Sequence, residues 1–418
     1  MELSSCQIDE DFRWWYNTDK AMPKVRILVF LSTILVVALL GLVASFYARG
    51  YKFDTKTFKF TPNGILVVNS EPNGSQIYID GVLKTATSAT ISLAPGTYNI
   101  EIKKNGFLTW SKTMVIKKEV VTEIDASLFP AAPSLSAVTF SGVLNPVSAA
   151  DSTRVAYAVA STEKDIDKEG LWVSEIVTLP IGFSREPKRI TDGDLSAATW
   201  KWSPDAKEIL LTQATLKKLD SPTDKFLLDV SEFKSKSELK AQTVLELAQI
   251  EKRWAELEQK QLDAQLSNLP NELGDILTTK ATDIVFSPDE NKILYTATDS
   301  ASIPEGIVKE LPGASSQKQA RDIGKGKKYV YDTKEDRNFE VATKDEITYW
   351  LPTSKHLILP QKDKLIIEEY DGTNKQIVYS GSYIYPHAYP YTNSAKLLIL
   401  TNLGSTDSLP NLYTLNLK

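Results

Sequence analysis

Few residues in this chain of 418 stand where they could do chemistry. Two histidines, His356 and His387, have no cysteine beside them, and the single cysteine, Cys6, lies near the N-terminus. An ordinary zinc site needs four such ligands brought together, so no metal and no cofactor is expected. Cys6 has no lipobox-like small-residue run before it and reads as an incidental free thiol. Asp192-Gly193-Asp194 offers a carboxylate pair that would suit a glycosidase or a calcium ion, but such a triplet between strands reads first as a turn. Arg321, Lys325, Lys327 and Lys328 fall in or at the end of a Gly-, Pro- and Ser-rich stretch at 299–328, which reads as a solvated basic loop in preference to a phosphate or acidic-polymer site. The chain has no Gly-x-Ser-x-Gly elbow, no Walker loop, no His-Glu-x-x-His and no dinucleotide fingerprint, so no catalytic residue is assigned. A net charge of -5 with a pI near 5.4 argues against nucleic-acid binding.

The elements that would carry any site are easier to read. At this length two to three domains are expected, and 42% hydrophobic with 24% charged residues is a globular composition. The mean hydropathy of -0.20 conceals one extreme. Residues 27–48, from Ile27 to Ala48, carry no charge and are almost wholly apolar, and as a helix they would span roughly 33 Å, enough to cross a bilayer. A signal-peptide core is about 7 to 15 residues, so a retained single-pass transmembrane helix is expected instead of a cleaved signal. Arg13, Lys20, Lys24 and Arg26 precede the span and Arg49, Lys52, Lys56 and Lys59 follow it, so basic residues do not set its orientation. A long C-terminal part can be translocated whatever its charge, and it contains no cysteine. Residues 1–26 are therefore expected as a cytoplasmic tail of a plasma-membrane protein whose remaining domains are extracytoplasmic. Trp14, Trp15 and Tyr16 suit either an inner-interface anchor or a plain solvated tail.

Residues 60–130 read as a small β domain. Runs such as Gly64–Ser70 and Gln76–Ile79 are rich in β-branched and aromatic residues, and Asp80-Gly81 suits a tight hairpin that needs positive φ. The turn Pro72-Asn73-Gly74-Ser75, the frame Ile77-x-Ile79-Asp80-Gly81, Leu93-x-Pro95-Gly96-x-Tyr98 and Lys103-Lys104-x-Gly106-Phe107 together resemble the PEGA family, named for a Pro-Glu-Gly-Ala turn. The resemblance implies a small extracytoplasmic β-sandwich on a prokaryotic surface protein, a spacer or adhesive module and not an enzyme.

From 134 to 418 the chain repeats itself. Trp202-Ser203-Pro204-Asp205 through Ile209-Leu210-Leu211-Thr212 aligns without a gap on Phe286-Ser287-Pro288-Asp289 through Ile293-Leu294-Tyr295-Thr296. Weaker copies run from Ala149 to Tyr157, from Trp350 to Leu359 and from Pro390 to Ile399, the last passing through Asn393-Ser394. Taking Val155, Ile209, Ile293, Leu357 and Leu397 as equivalent, the spacings are 54, 84, 64 and 40 residues. A period near 40 is that of a four-stranded propeller blade, with insertions of roughly 14, 44 and 24 residues in the longer gaps. The motif resembles the TolB-like and WD-repeat-like propellers. The fold class is thus mainly β, with about five to six blades after the anchor and the small domain.

The largest insertion, 231–270, is predicted helical, with a stripe of Leu247, Ile250, Trp254, Leu257, Gln261 and Ala264 packing on the propeller or, alternatively, on a partner helix. A rigid ring carrying variable loops favours binding or scaffolding, so a membrane-anchored protein of the cell envelope presenting a propeller face to a protein or glycan is expected. The alternatives are a cell-surface hydrolase, acting on glycan or peptide through acidic residues at the propeller mouth, and a cytoplasm-facing hub.

Overall fold

The computed structural model describes residues 23–48, 51–54, 59–160, 166–177, 185–213, 224–309, 311–392, 395–405 and 408–418. The tail with Cys6 and Trp14–Tyr16, the basic residues Arg13, Lys20, Arg49 and Lys56, and Asn393-Ser394 of the fifth repeat lie outside the described residues. Two compact units are formed, one of residues 1–66, 90–96 and 116–122 and one of residues 67–89, 97–115 and 123–418, so the boundary runs through the stretch 60–130.

In the first unit, helix α1 (Pro23–Ala48) is long and apolar enough to cross a membrane and keeps its apolar side chains exposed. Ser32 and Thr33, its polar interruptions, turn their hydroxyls back onto the Val29 carbonyl, which removes their need for water. The chain then makes a short hairpin, Lys52–Asp54 against Lys59–Thr61. Gly64 is required where it stands: an added Cβ would lie 2.4 Å from Ile116 Cγ2 and 2.5 Å from the Lys117 carbonyl oxygen.

In the second unit, strands Gln76–Ile79, Val82–Ala86, Gly96–Lys103 and Trp110–Ile116 form a small antiparallel sheet with 82–86 at one edge. Ile77 pairs with Ile102 and Ile79 with Ile100, and all four side chains are buried, the alternation that a half-covered sheet demands. Asp80 and Gly81 take φ of 49° and 77°, both positive, as a two-residue hairpin requires. Asp80 also accepts a hydrogen bond from the Asn99 amide at 2.9 Å.

Apart from a two-stranded ribbon of 301–302 against 322–323, the rest of this unit forms five sheets among its described residues, each the product of one sequence repeat. The first blade is 144–148, 154–159, 170–175 and 188–192; the second, of three strands, is 198–202, 208–213 and 224–229; the third is 281–286, 292–297, 327–332 and 337–343. The fourth is 349–350, 356–360, 364–369 and 376–380, and the fifth is 388–390, 396–401 and 411–416, completed by 135–137 from the other end of the chain. That last strand pairs Leu135 with Leu415, closing the ring with hydrogen bonds.

Val155, Ile209, Ile293, Leu357 and Leu397 each occupy the second position of a second strand, and each is 0% exposed. Opposite them across the turn stand Ser148, Trp202, Phe286, Trp350 and Pro390, always seven residues earlier. Complete burial of an aliphatic side chain of this size stabilises by about 1.5–3 kcal/mol, so each repeat residue contributes to its blade alongside the other buried side chains of the same cluster. Blades one and two pack through Ala156, Leu171 and Trp200, three and four through Leu294, Val330 and Trp350, four and five through Ile358, Ile367 and Leu397, and five and one through Leu398 and Tyr157.

Helix α2 (Val244–Leu266) opens with a Thr243–Glu246 capping box, and helix α3 (Asn271–Lys280) follows it. Ile250 and Trp254 pack on Leu210 of blade two, and Leu266, Leu273 and Leu277 pack on Ile293 and Tyr295 of blade three. The insertion thus supplies apolar surface to both blades. Leu247 and Leu257 are half-buried, whereas Gln261 and Ala264 are exposed. The inward face drifts to Leu262 and Leu266 because a 3.6-residue period leaves a strict heptad stripe over five turns.

Candidate functional site

The turns that join first and second strands build the site. In blade two, Ser203 Oγ donates to Asp205 at 2.7 Å and accepts the Glu208 amide at 2.9 Å; in blade three, Ser287 and Asp289 repeat this at 2.6 Å, with Lys292 donating at 3.0 Å. The fourth turn residue has positive φ in four blades: 54° at Ser152, 56° at Ala206, 56° at Glu290 and 55° at Ser354. Non-glycine residues resist that conformation, so in blades two and three the serine and aspartate bonds hold what the backbone alone would not. Burial alone would raise the Asp289 carboxyl, but Ser287, Asn291 and Lys292 outweigh it and hold it down to about 2. Pro204, Pro288 and Pro352 occupy the same place in their turns and preset its φ.

Four of these turns and the strands that lead into them enclose a pocket of about 800 Å³. Its walls are rings and prolines: Phe286, Tyr349, Trp350, Tyr389 and Tyr391, with Pro146, Pro288, Pro352, Pro386 and Pro390. The Tyr349 and Tyr389 rings lie 6.3 Å apart. Most of the polar atoms in this wall are already bonded to the protein. Tyr389 donates to the Pro146 carbonyl at 2.5 Å and meets His387 Nδ1 at 2.8 Å, Trp350 Nε1 donates to the Val285 carbonyl at 3.1 Å, and Tyr391 meets Thr414 at 3.1 Å. Burial pushes the His387 ring down, against the Pro146 carbonyl, and raises the Tyr349 and Tyr389 hydroxyls, so all three are neutral near pH 7.

Among the described residues Asp151 is the one carboxylate lining the pocket, and both its oxygens accept from Thr153. A hydrolase working through two carboxylates uses a second within about 10 Å, and among the described residues the lining includes only Asp151. Asp192 accepts from Ser235 and the Lys236 amide, and Asp194 from the Ser196 amide, so both act as local turn acceptors. Three of the four basic residues singled out are spent internally, Lys325 being the exception: Arg321 pairs with buried Asp336 at 3.0 Å, and Lys327 with Glu340 at 2.8 Å. Lys328 donates to the Glu346 carbonyl. Strand 327–332 thus begins inside the stretch expected to be loop. Among the described residues no group of three metal-ligating side chains occurs.

Of the residues singled out in the sequence, Phe286, Pro288 and Trp350 line this pocket, whereas Trp202, Ser203, Pro204 and Asp205 do not. Trp202 is buried against blade one and donates to the Val147 carbonyl at 2.9 Å. Pro72, Asn73, Gly74 and Ser75 lie in the small sheet's turn, where the amide of buried Ser75 donates to Thr87 Oγ1 at 3.0 Å and its hydroxyl donates to the Pro72 carbonyl at 2.7 Å. The helical stripe of Leu247, Ile250, Trp254 and Leu257 does not reach the pocket. Sequence reasoning assigned no site role to Tyr349, Tyr389 and Tyr391, and weighed His387 only as a metal ligand. The signal available was a ring-and-proline pattern at the ends of first strands, as in Phe286-Ser287-Pro288, Trp350-Leu351-Pro352 and Tyr389-Pro390-Tyr391.

A second missed cluster seats strand Trp110–Ile116 on blade four. Lys112 Nζ lies 2.6 Å from Glu369 and 2.5 Å from Asp371, all nearly buried. Burial opposes the Lys112 charge, but the two carboxylates prevail and raise it; Lys112 in turn holds Glu369 low against the effect of burial. The Trp110 indole donates to Glu369, and Gln376 donates to the Thr109 carbonyl at 2.9 Å.

No curated protein matches the chain in sequence. Among solved structures it is similar to a putative TolB from Agrobacterium tumefaciens at 10% identity, over 67% of this chain and 74% of that one, with a TM-score of 0.20. TolB from Acinetobacter baumannii matches at 14% identity, over 76% and 59%, with a TM-score of 0.23. The β-propeller domain of Cps50 (Swd1) from Myceliophteria thermophila matches at 9%, over 68% and 100%, with a TM-score of 0.26. The propeller is defined by the strand order and register of its five sheets. Residues 63–131 match the PEGA domain. The chain therefore carries a PEGA domain, after an N-terminal apolar helix and before a β-propeller.

Proposed function

We propose that this protein is a membrane-anchored binding protein of the prokaryotic cell envelope, held by α1 with its N-terminus inside, whose propeller pocket receives an apolar segment of a protein partner. The pocket carries this reading: about 800 Å³ walled by aromatic rings and prolines, with most of its hydrogen-bonding atoms satisfied from within. A glycan needs free donors and acceptors around its hydroxyls, whereas an extended peptide bearing proline or aromatic side chains needs flat apolar walls. The anchor length, the PEGA domain and the lack of a second pocket carboxylate support the same role. The test is a photo-crosslinking residue at Tyr349 in intact cells, with a second at Phe140, which is 82% exposed, as control. The expected result is a crosslink from Tyr349 to an apolar segment of one envelope protein, lost with Trp350→Ala. Equal crosslinking from Phe140, or crosslinks to glycan alone, would refute it.

A further inference from the structure

The turn of blade four between Trp350 and His356 has two sides, and they face different things. On one side Trp350 and Pro352 line the central pocket. On the other, Leu351, Pro352 and Thr353 line a second cavity of about 180 Å³ whose opposite wall is Glu71, Ser127, Leu128 and Phe129. Pro352 therefore touches both spaces.

The turn is also fastened at both ends. His356 Nδ1 lies 2.9 Å from Thr353 Oγ1, and its ring stands edge-on to Phe129 with centroids 5.5 Å apart. His356 pairs in register with Glu369, the residue that receives Trp110 and Lys112. Toward the pocket, Ser354 Oγ accepts the Asp289 amide at 3.0 Å, tying this turn to that of blade three, whose Pro288 is another pocket wall. A chain of contacts thus runs from Lys112 to Glu369, across the strand pairing to His356, through its bond to Thr353, and along the turn to Pro352 and Trp350.

We infer that Trp110, Lys112 and Phe129 are positioning residues for the propeller pocket, so that seating of this segment on blade four and occupancy of the pocket are coupled. The coupling concerns the pocket proposed above to take a peptide, and rests on that reading for its biological use. Its physical basis is that Lys112 is the cation shared by two buried carboxylates; without it Glu369 and Asp371 repel each other, strand 364–369 shifts, and the His356–Thr353 support moves with it. Any ligand that needs the seated pocket wall must, by reciprocity, favour the seated segment. A spacer that merely holds the propeller away from a membrane would have no such effect.

The test uses the full chain in detergent micelles, labelled with 5-fluorotryptophan, and needs no ligand, so it can fail or succeed independently of peptide binding. Trp110, Trp202 and Trp350 are assigned by single Trp→Phe variants. In Lys112→Met the resonances of Trp110 and Trp350 are expected to shift or broaden together while that of Trp202, in blade two, stays in place; Lys112→Arg is expected to restore part of the parent spectrum. Phe129→Leu, a milder change at the other end of the path, is expected to move Trp350 with Trp202 again unchanged, and it stands in if Lys112→Met does not fold. The inference is overturned if Trp110 moves and Trp350 does not, if neither moves in Lys112→Met, or if Trp350 ignores Phe129→Leu.

Discussion

Replacing Glu368 by glutamine should reshape the pH dependence of stability. Glu368 sits in strand 364–369 of blade four with its side chain fully buried; Lys375 Nζ lies 2.6 Å from one carboxylate oxygen and the other has no hydrogen-bond partner among the described residues. Burial, partly offset by Lys375, pushes this carboxyl from 4.5 up to about 7. The folded protein then keeps a proton that the unfolded chain has lost, so this site's contribution falls as pH rises from about 4.5 to 7, by about 3 kcal/mol in all. Glutamine does not titrate, and the cost of burying its amide is the same at every pH. Variant minus parent should therefore rise by about 3 kcal/mol between pH 4.5 and pH 8, whatever its constant offset. His356 works in the opposite sense: burial lowers it to about 4, and its contribution grows as pH rises from there to about 6.5. The parent should show a shallow profile where the two oppose, and Glu368→Gln a clear rise. Equilibrium urea unfolding of the full chain in detergent, followed by tryptophan fluorescence at pH 4.5, 6 and 8, measures this. Parallel profiles for parent and variant would refute the claim that this carboxylate is desolvated.

Three further outcomes follow from the blade architecture. Leu357→Ala removes a fully buried repeat residue and should cost about 2–5 kcal/mol in the same urea assay. Asp289→Ala should cost about 1 kcal/mol at pH 7 through loss of its turn bonds to Ser287 and Asn291. Because its folded carboxyl is held low, that contribution is present above about pH 4 and is lost as pH falls through about 2, so parent and variant should converge in acid. Trp254→Ala strips α2 of its main contact on Leu210 and its bond to Glu208, and amide exchange in 244–266 should accelerate by at least tenfold while blades four and five stay protected.

What could be read in the sequence was local or periodic. The apolar run of α1 and the five repeat cores are each visible within about ten residues, and the strands appear where those cores predict them. The Ser-Pro-Asp turn was legible because its side chains bond to their own backbone. Its role as a pocket wall was not, because Tyr349 meets Tyr389 only once the ring is closed. The Lys112 cluster joins residues 257 apart in the chain, and neither end carries a pattern that names the other. The helical stripe was right at Ile250 and Trp254 and drifted at Gln261 and Ala264, where Leu262 and Leu266 packed inward instead. The ion pairs of Arg321 and Lys327 show the same limit, since a basic loop and a set of buried or satisfied cations look alike before folding.

The central claim is that the propeller pocket is presented outside the cell by a retained N-terminal anchor. Cys6 is the chain's single cysteine, so Cys6→Ser provides a cysteine-free background in which Asp151→Cys places one thiol on the pocket lining. A membrane-impermeant maleimide applied to intact cells should label that thiol in the membrane fraction, while native Cys6 in the parent reacts only after permeabilisation. Labelling of Cys6 from outside with a silent Asp151→Cys, or recovery of the labelled protein free of the membrane, would contradict the account.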